Sequence, residues 1–186
     1  MEKLFEKSFK DLGVITFRAF QIEEDSIIIH KWVNMTYAIY WGMMGTTLEE
    51  FKSSYSKTLA SGTEVYIGEI NGKVKVLMEK YNVIEYLKNY YNGSQGDIGM
   101  HILIGPSTQT IHRFTWNVFS SVMEFLFIDV SVDRVIVEPD IRNEKIHILN
   151  KKAGFEYQKQ IQLPHKKAWL ATCTRKQFKE VIKLNS

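Results

Sequence analysis

Two titratable side chains lie in or just after consecutive strand-like segments of the sequence. His101 lies within the apolar run DIGMHILIG at 97–105, and Asp140 follows the run at 132–138, which Pro139 ends. If these runs form neighbouring parallel strands, their carboxyl ends open onto one crevice, where ligands bind in many α/β proteins. An imidazole and a carboxylate placed there can accept and pass on a proton. The pair therefore predicts general acid–base chemistry.

Each of these two residues also has a purely structural interpretation. A mid-strand histidine is often buried and hydrogen-bonded to a backbone carbonyl, because buried polar groups need partners. Asp140 stands shortly before a predicted helix at 143–152, so its carboxylate could cap that helix. The sequence alone leaves both interpretations open.

Three more rings, His30, Trp32 and Trp41, lie in or after a predicted short helix at 25–32. Flat rings can cover the aliphatic stem of a ligand, so these residues are a candidate substrate wall. The alternative is that they form the buried face of an amphipathic helix.

Other chemistry-bearing residues give weaker signals. Glu79 and Tyr81 end a predicted strand and could meet a cationic group, although a solvated strand end is the simpler interpretation. Cys173 is the only cysteine, which excludes an internal disulfide and a cysteine-based zinc site, and no neighbouring motif supports it as a nucleophile. The five histidines show no metal-ligand spacing, so no metal is predicted.

The elements that position these residues follow from periodicity and turn signals. Asn71-Gly72 between two β-rich runs is a strong hairpin signal, and Thr47 with Glu50 forms a capping box. Apolar residues within 114–126 recur at helical spacing. The predicted strands are 14–20, 64–70, 73–81, 97–105, 132–138, 155–163 and 166–173, and the predicted helices are 25–32, 47–59, 114–126, 143–152 and one that begins after a second capping box at 174–177.

This order of elements predicts the fold class. Successive hairpins indicate antiparallel pairing, and the strand–helix–strand unit at 97–138 indicates a parallel pair with a right-handed crossover. We therefore expect an α/β protein with a mixed, mostly antiparallel sheet, a central parallel pair and helices on both faces. A chain of 186 residues without a proline-rich linker is expected to form a single domain over residues 1–186.

Composition narrows the class of partner. The net charge of +3 is too mild to indicate nucleic acid, but it suits a small anionic ligand. The charged N-terminus does not resemble a signal peptide, and no run of 18 apolar residues occurs. We expect a cytoplasmic protein that does not bind a membrane.

Several segments carry a family resemblance together. They are EPDIRNEK at 138–145, KKAGF at 151–155, GMH at 99–101, HKWVN at 30–34 followed by Trp41, and LPHKKA at 163–168. In this order they resemble the GNAT acyltransferases of siderophore biosynthesis, the hydroxylysine and diamine acyltransferases of the aerobactin and alcaligin type and their mycobactin relative. The resemblance covers about residues 14–180.

The resemblance implies an N-acyltransferase that moves an acetyl or other acyl group from acyl-CoA to an (N-hydroxy)amine such as N6-hydroxylysine. It implies that His101 and Asp140 act on the substrate nitrogen and that His30, Trp32 and Trp41 line the acceptor site. The partner is then a small amine or hydroxylamine.

The resemblance also implies where acyl-CoA binds. The cofactor would enter where strands 97–105 and 132–138 splay apart, and its pantetheine arm would meet Ile102, Leu103, Ile104 and Asn143. GNAT enzymes bind the pyrophosphate with a Q/R-x-x-G-x-G/A loop at a helix N-terminus.

The phosphate loop of this chain departs from that pattern. The corresponding residues are Gln109, Thr110, Ile111, His112, Arg113 and Phe114, and no register places a glycine at either glycine position. Side chains there hinder close approach of phosphate to the backbone, although His112 and Arg113 could supply cationic contacts.

Three alternatives therefore remain open. The protein could be a non-catalytic GNAT-like module that binds a ligand, or a GNAT enzyme of another small amine such as an antibiotic or polyamine. The acyl donor could also be a thioester on an acyl carrier protein. The sequence leaves the amine, the acyl length and the oligomeric state open.

Overall fold

The chain folds into strands and helices in the computed structural model, which describes residues 2–106 and 113–185. Within these ranges the strands are β1 (Phe5–Phe9), β2 (Gly13–Ala19), β3 (Glu64–Ile70), β4 (Lys73–Tyr81), β5 (Asp97–Ile104), β6 (Arg134–Val137), β7 (Glu156–Gln162) and β8 (Lys167–Thr174). The helices are α1 (Ile22–Val33), α2 (Leu48–Ala60), α3 (Val83–Tyr86), α4 (Phe114–Leu126), α5 (Glu144–Lys152) and α6 (Arg175–Asn185), with a 3₁₀ helix at Thr36–Trp41. None of these helices has the length and apolar character that a membrane span requires.

The strands form a mixed sheet in the order β1-β2-β3-β4-β5-β6-β8-β7. Strands β5 and β6 run parallel, and the recorded ladders β1–β2, β2–β3, β3–β4, β6–β8 and β7–β8 are antiparallel. The predicted α/β class, with a mostly antiparallel sheet and a central parallel pair, is confirmed. That residues 1–186 form a single domain stays a prediction.

The structure contains the β-turn and the two helix capping boxes that the sequence predicts. Asn71 and Gly72 both adopt positive φ, 50° and 73°, as the turn between β3 and β4 requires. Thr47 and Glu50 form the predicted capping box of α2. At the start of α6, the hydroxyl and backbone N–H of Thr174 both donate to Oε1 of Gln177, which is the second box.

The contacts divide the chain into two compact units, and the first comprises Met1–Lys80 and His101–Val118. In this unit the antiparallel strands β1 to β4 carry α1, the 3₁₀ helix and α2. Its core includes Phe20, Ile29, Phe51, Ile67 and Leu77, all buried. Helix α1 presents its apolar positions at helical spacing to this core, as an amphipathic helix does.

The second unit comprises Tyr81–Met100 and Phe119–Ser186. Strands β6, β8 and β7 are adjacent here, and a cluster that includes Ile136, Leu163 and Leu170 is buried against Val83 and Leu87. The latter two follow β4 in the polar segment 82–96, which the sequence left unassigned.

The ladder between β5 and β6 is short. It pairs Asp97 with Arg134, Ile98 with Val135 and Gly99 with Ile136, and ends there. The eight-residue β5 continues to Ile104, so the prediction that the two strands do not stay paired along their whole length is confirmed.

Three elements are missing from the sequence prediction. Strand β1 pairs with β2, with Phe5 opposite Phe17, although the charged residues around it hide its alternation. The 3₁₀ helix at Thr36–Trp41 and the one-turn helix α3 are too short to show a 3.6-residue period.

Trp32 and Gly105 make a close contact in the first unit. Trp32 is only 5% exposed, and a Cβ built on Gly105 would lie 2.5 Å from Cζ2 of the indole. The backbone N–H of Gly105 donates to the carbonyl of Lys75 on β4, at 2.8 Å. The indole of Trp32 is therefore part of the core, packed against the backbone at the end of β5.

This contact predicts that Gly105→Ala destabilises the protein by about 1–3 kcal/mol, the usual cost of overpacking. In a Trp32→Phe background the smaller ring leaves room for the methyl group, so the same substitution should cost clearly less. Urea unfolding of the four proteins of this double-mutant cycle measures the difference. Equal costs of Gly105→Ala in both backgrounds would show that the indole does not set the space at this position.

Candidate active site

His101 is held by a carboxylate from the neighbouring strand. Its Nδ1 lies 2.9 Å from Oε2 of Glu79 on β4. The side chain of Glu79 is 14% exposed and that of His101 is 29% exposed, so both groups sit at a half-shielded position. Glu79 is thus not the solvated strand end that the sequence favoured, and His101 is a half-buried ring whose Nδ1 meets this carboxylate.

Tyr55 of α2 completes a chain of hydrogen bonds. Its hydroxyl donates to Oε1 of Glu79 at 2.9 Å, so the two carboxylate oxygens of Glu79 meet Tyr55 and His101 separately. Burial raises the pKa of Tyr55 well above its usual value, and the negative charge of Glu79 raises it further. Tyr55 therefore remains a neutral donor that fixes the carboxylate.

Trp41, at the end of the 3₁₀ helix, contacts this chain twice. Its ring meets the imidazole of His101 edge-on, with centroids 6.2 Å apart and planes at 76°. Its indole N–H, which can only donate, lies close enough to Tyr55 to lower the pKa of that hydroxyl, although burial and Glu79 outweigh this effect. The structure thus brings Trp41, one of the three predicted wall residues, to His101. Tyr55 carried no sequence signal beyond its place in a capped helix.

These contacts determine which nitrogen of His101 can act as a base. An ionised carboxylate can only accept hydrogen bonds, so Nδ1 of His101 carries the proton that faces Glu79. The lone pair of the neutral ring is then on Nε2, which can take a proton from a ligand. The network Trp41–Tyr55–Glu79–His101, which we call the histidine network, is suited to general-base chemistry.

His30 and its neighbour Asn34 hold the segment that follows the 3₁₀ helix. Nε2 of His30 lies 2.7 Å from the carbonyl oxygen of Thr46, and Asn34, one turn later, accepts the N–H of Gly45 at 2.7 Å. The two side chains fasten the segment that follows the 3₁₀ helix to α1. Of the three rings predicted to line the acceptor site, the structure brings Trp41 to His101, buries Trp32 and uses His30 as a fastener.

Asp140 lies in the second compact unit, where Arg142 holds its carboxylate. The guanidinium donates from Nε to Oδ1 at 2.8 Å and from Nη2 to Oδ2 at 2.7 Å, and the backbone N–H of Arg142 also donates to Oδ1. These hydrogen bonds outweigh burial and lower the pKa of Asp140. The N-cap of α5 is Asn143 rather than Asp140, the alternative that the sequence offered, since Asn143 Oδ1 accepts the N–H of Ile146 at 3.5 Å.

Two other residues support the backbone of Asp140. Nε2 of His147 lies 3.0 Å from the carbonyl oxygen of Asp140, and Nδ1 lies 2.8 Å from the hydroxyl of Tyr157. Ala168 of β8 makes an isolated bridge to Asp140. The sequence gave no signal for His147, because its partners lie on other elements.

Glu138, which begins the EPD segment, is almost fully buried. The hydroxyl of Tyr81 donates to its Oε2 at 2.6 Å, and Nζ of Lys166 lies 3.5 Å from its Oε1. Tyr81 is itself buried, so it is not a solvated strand end either. A Cβ on Gly99 would lie 2.1 Å from the Tyr81 ring, which requires glycine in the GMH segment.

Some of the residues predicted to bind acyl-CoA lie on β5 and at the start of α4. Leu103 is buried and Ile102 and Ile104 are half-buried on β5. Arg113 is exposed, adopts a left-handed φ of 56° and accepts the N–H of Asn117, so it precedes the first turn of α4, which begins at Phe114. Gln109, Thr110, Ile111 and His112 lie outside the described residues.

Cys173 is a buried thiol on β8. Burial raises the pKa of the Cys173 thiol to about 12, so it is not a thiolate at neutral pH. Within residues 2–106 and 113–185, no three metal-ligating side chains cluster.

The comparisons with known proteins place the chain in a family. A family model described as "Acetyltransferase (GNAT) domain" matches residues 21–163. The chain therefore belongs to the GNAT acetyltransferase family, as the resemblance predicted; the narrower siderophore assignment is not part of this match. No curated protein matches the sequence.

Solved structures share the fold over nearly the whole chain. An uncharacterized protein from Bacillus halodurans matches with a TM-score of 0.88 and 28% identity, covering 98% of this chain and 96% of that one. The aminoglycoside acetyltransferase AAC(6')-Ib with coenzyme A matches at 0.75 and 22%, covering 89% and 98%. A spermidine N-acetyltransferase from Vibrio cholerae with CoA and spermine matches at 0.67 and 16%, covering 88% and 97%.

The Arg142–Asp140 pair predicts a pH-dependent contribution to stability. Because the folded-state pKa of Asp140 is lowered, the pair stabilises the protein above the unfolded aspartate pKa of about 3.9 and is lost as pH falls through the lower folded value. Arg142→Gln should lower the free energy of unfolding at pH 6–7, and the difference from the native protein should shrink to nothing in strong acid.

Urea unfolding from about pH 2 to pH 7 measures this difference. Lys145→Gln, an exposed cation of α5, is the control and should give a difference that does not depend on pH in this way. A deficit of Arg142→Gln that persists unchanged in strong acid would contradict the assignment.

Proposed function

We propose that this protein is an acyl-CoA-dependent N-acyltransferase of a small amine or hydroxylamine, with His101 as the general base. The observation that carries the proposal is the histidine network, in which Glu79 orients the imidazole so that Nε2 has the lone pair. Aminolysis of a thioester forms the amide C–N bond, breaks the C–S bond and releases a proton from nitrogen. His101 takes that proton, while the thiolate of CoA leaves.

Trp41 and Glu79 provide the apolar surface and the negative charge beside His101, where we propose that the acceptor binds. The indole edge covers one side of His101, which shields the proton transfer from water and offers an apolar surface to an aliphatic stem. Glu79 keeps a negative charge beside the imidazole, so the protonated form that arises in the reaction is stabilised. We propose that His30 also belongs to this acceptor wall, because it holds the segment that follows Trp41.

Acyl-CoA is the proposed donor. Family membership supports it, and two structural neighbours were solved in complex with CoA. We propose that Ile102, Leu103, Ile104 and Asn143 contact the pantetheine arm, and that the segment from Gln109 to Phe114 meets the pyrophosphate. For Asp140 we propose a positioning role rather than proton transfer, because Arg142 already occupies both of its oxygens.

The acceptor is proposed at two levels. One structural neighbour is an aminoglycoside acetyltransferase and another was solved with spermine, which supports a small polar amine. The EPD-x-RN segment and its companions favour a narrower choice, an N-hydroxylated amine such as N6-hydroxylysine. A hydroxylamine is less basic than an alkylamine and is neutral near pH 7, so a single half-shielded histidine is sufficient as its base.

A substrate panel tests both levels. Acetyl-CoA and longer acyl-CoAs are offered with N6-hydroxylysine, lysine, spermidine and kanamycin, and free thiol release is followed. A kcat/KM for N6-hydroxylysine at least tenfold above the others supports the hydroxamate assignment. Preference for spermidine or kanamycin overturns it while leaving the N-acyltransferase proposal intact.

The base assignment predicts specific kinetic losses. With the best acceptor of the panel, His101→Gln should lower kcat by about 10²-fold, the usual scale of a general base. Glu79→Gln removes the charge beside the imidazole, so the acidic limb of the kcat/KM profile should move to lower pH.

The matched control is His165→Gln, which changes an exposed histidine outside the network. It should leave both kcat and the pH profile unchanged. Near-native turnover of His101→Gln, or an unmoved profile in Glu79→Gln, would remove the network from the mechanism.

Arg113 carries the second prediction about function. Because glycine is missing from the phosphate loop, a forked guanidinium contact is the best available replacement, and Arg113→Ala should weaken acyl-CoA binding by about 1.5–3 kcal/mol, the scale of a charged hydrogen bond. Calorimetric titration with acetyl-CoA measures the loss. Arg113→Lys, which keeps the charge, should lose less than Arg113→Ala.

The absence of glycine from 109–114 favours one second candidate, a GNAT-like module that no longer uses free coenzyme A. Undetectable binding of acetyl-CoA to the native protein at millimolar ligand would support this candidate. The donor would then be an acyl carrier protein, or the protein would be a non-catalytic binding module.

A further inference from the structure

A basic pocket lies in the second compact unit, on residues that the proposed chemistry does not use. It has a volume of about 770 Å³ and opens where β8 passes into α6. Two carboxylates and two hydroxyl-bearing residues line it together with five cations: Arg134, Arg175, Lys176, Lys179 and Lys183.

Arg175 gives the pocket a fixed cation. Its Nη2 donates to the carbonyl oxygens of Asp129 at 2.7 Å and Val132 at 2.6 Å, and Nη1 donates to the carbonyl of Phe127. The guanidinium also lies over the Phe127 ring, 5.1 Å from its centroid. Carbonyls and a ring orient this charge without cancelling it.

Arg134 contributes less net charge, because Asp97 matches it. The carboxylate of Asp97 accepts hydrogen bonds from Nε and Nη2 of Arg134, each at 2.7 Å, and Nη2 also donates to the Ser94 hydroxyl at 3.0 Å. The hydrogen bonds from Arg134, Ser94 and Tyr91 outweigh burial and lower the pKa of Asp97. This arginine therefore shapes one side of the pocket rather than supplying an unmatched charge.

The lysines of α6 supply the excess positive charge. Lys176, Lys179 and Lys183 are spaced three and four residues apart, so they project from one face and extend over about 10 Å of the helix axis. All three are exposed, and among the described residues no ion pair is recorded for them. The capping box of Thr174 and Gln177 fixes the start of the helix that presents them.

We propose that this pocket binds a soluble polyanion that carries two or more phosphate groups. A fixed guanidinium and a row of lysines can engage several phosphate oxygens at once, and each such contact is a charge-assisted hydrogen bond. The volume admits a ligand of nucleotide or polyphosphate size. An anion with a single phosphate group can contact only part of the row, so the affinity should rise steeply with the number of phosphate groups.

Calorimetric titration with inorganic triphosphate tests the proposal at low ionic strength and in the presence of saturating coenzyme A. The coenzyme occupies any phosphate site that belongs to acyl-CoA, so the remaining signal reports this pocket. Triphosphate should bind at least tenfold tighter than orthophosphate, and added salt should weaken it.

Lys179→Gln/Lys183→Gln should weaken triphosphate binding at least tenfold. The matched control, Lys10→Gln/Lys159→Gln, removes the same charge from exposed lysines elsewhere and should change the affinity less than twofold. Equal losses in the two double variants, or no binding to the native protein at millimolar triphosphate, would overturn the proposal. Acyl transfer by Lys179→Gln/Lys183→Gln should remain native, which separates this pocket from the proposed active site.

Discussion

The hydrogen bond between Glu79 and His101 is the interaction on which the proposed chemistry depends. It joins adjacent strands across 2.9 Å and determines the tautomer of the imidazole. The Tyr55 hydroxyl of α2 donates to the other oxygen of the carboxylate, so the carboxylate cannot turn away from His101 without losing a partly buried hydrogen bond. One carboxylate therefore connects the sheet, a helix and the candidate base.

The fold provides the rigid frame that this carboxylate needs. Trp32 packs on Gly105 at the end of β5, and the Asn71-Gly72 turn sets the register between β3 and β4, the strand that carries Glu79. His30 and Asn34 fasten the segment that follows Trp41. Packing and turn chemistry thus place the network, in which each carboxylate oxygen of Glu79 has its own partner.

The sequence predicted what is local and missed what depends on strand order. Asn71-Gly72 and the Thr47 box are readable because their chemistry acts within four residues. Glu79 lies 22 residues before His101 in the sequence, and Tyr55 lies 24 residues before Glu79. Only the folded sheet and the helix packed on it bring the three together. Trp32 illustrates the same limit, since its burial depends on a glycine more than 70 positions away.

The tautomer of His101 tests the central claim most directly. Nitrogen chemical shifts of the histidine rings at neutral to mildly alkaline pH, with the His101 signals assigned by their loss in His101→Gln, distinguish Nδ1–H from Nε2–H. The orientation by Glu79 predicts that neutral His101 is protonated on Nδ1, with the lone pair on Nε2. A neutral ring protonated on Nε2 would contradict the account, because its remaining lone pair would then face the carboxylate and could not serve a ligand.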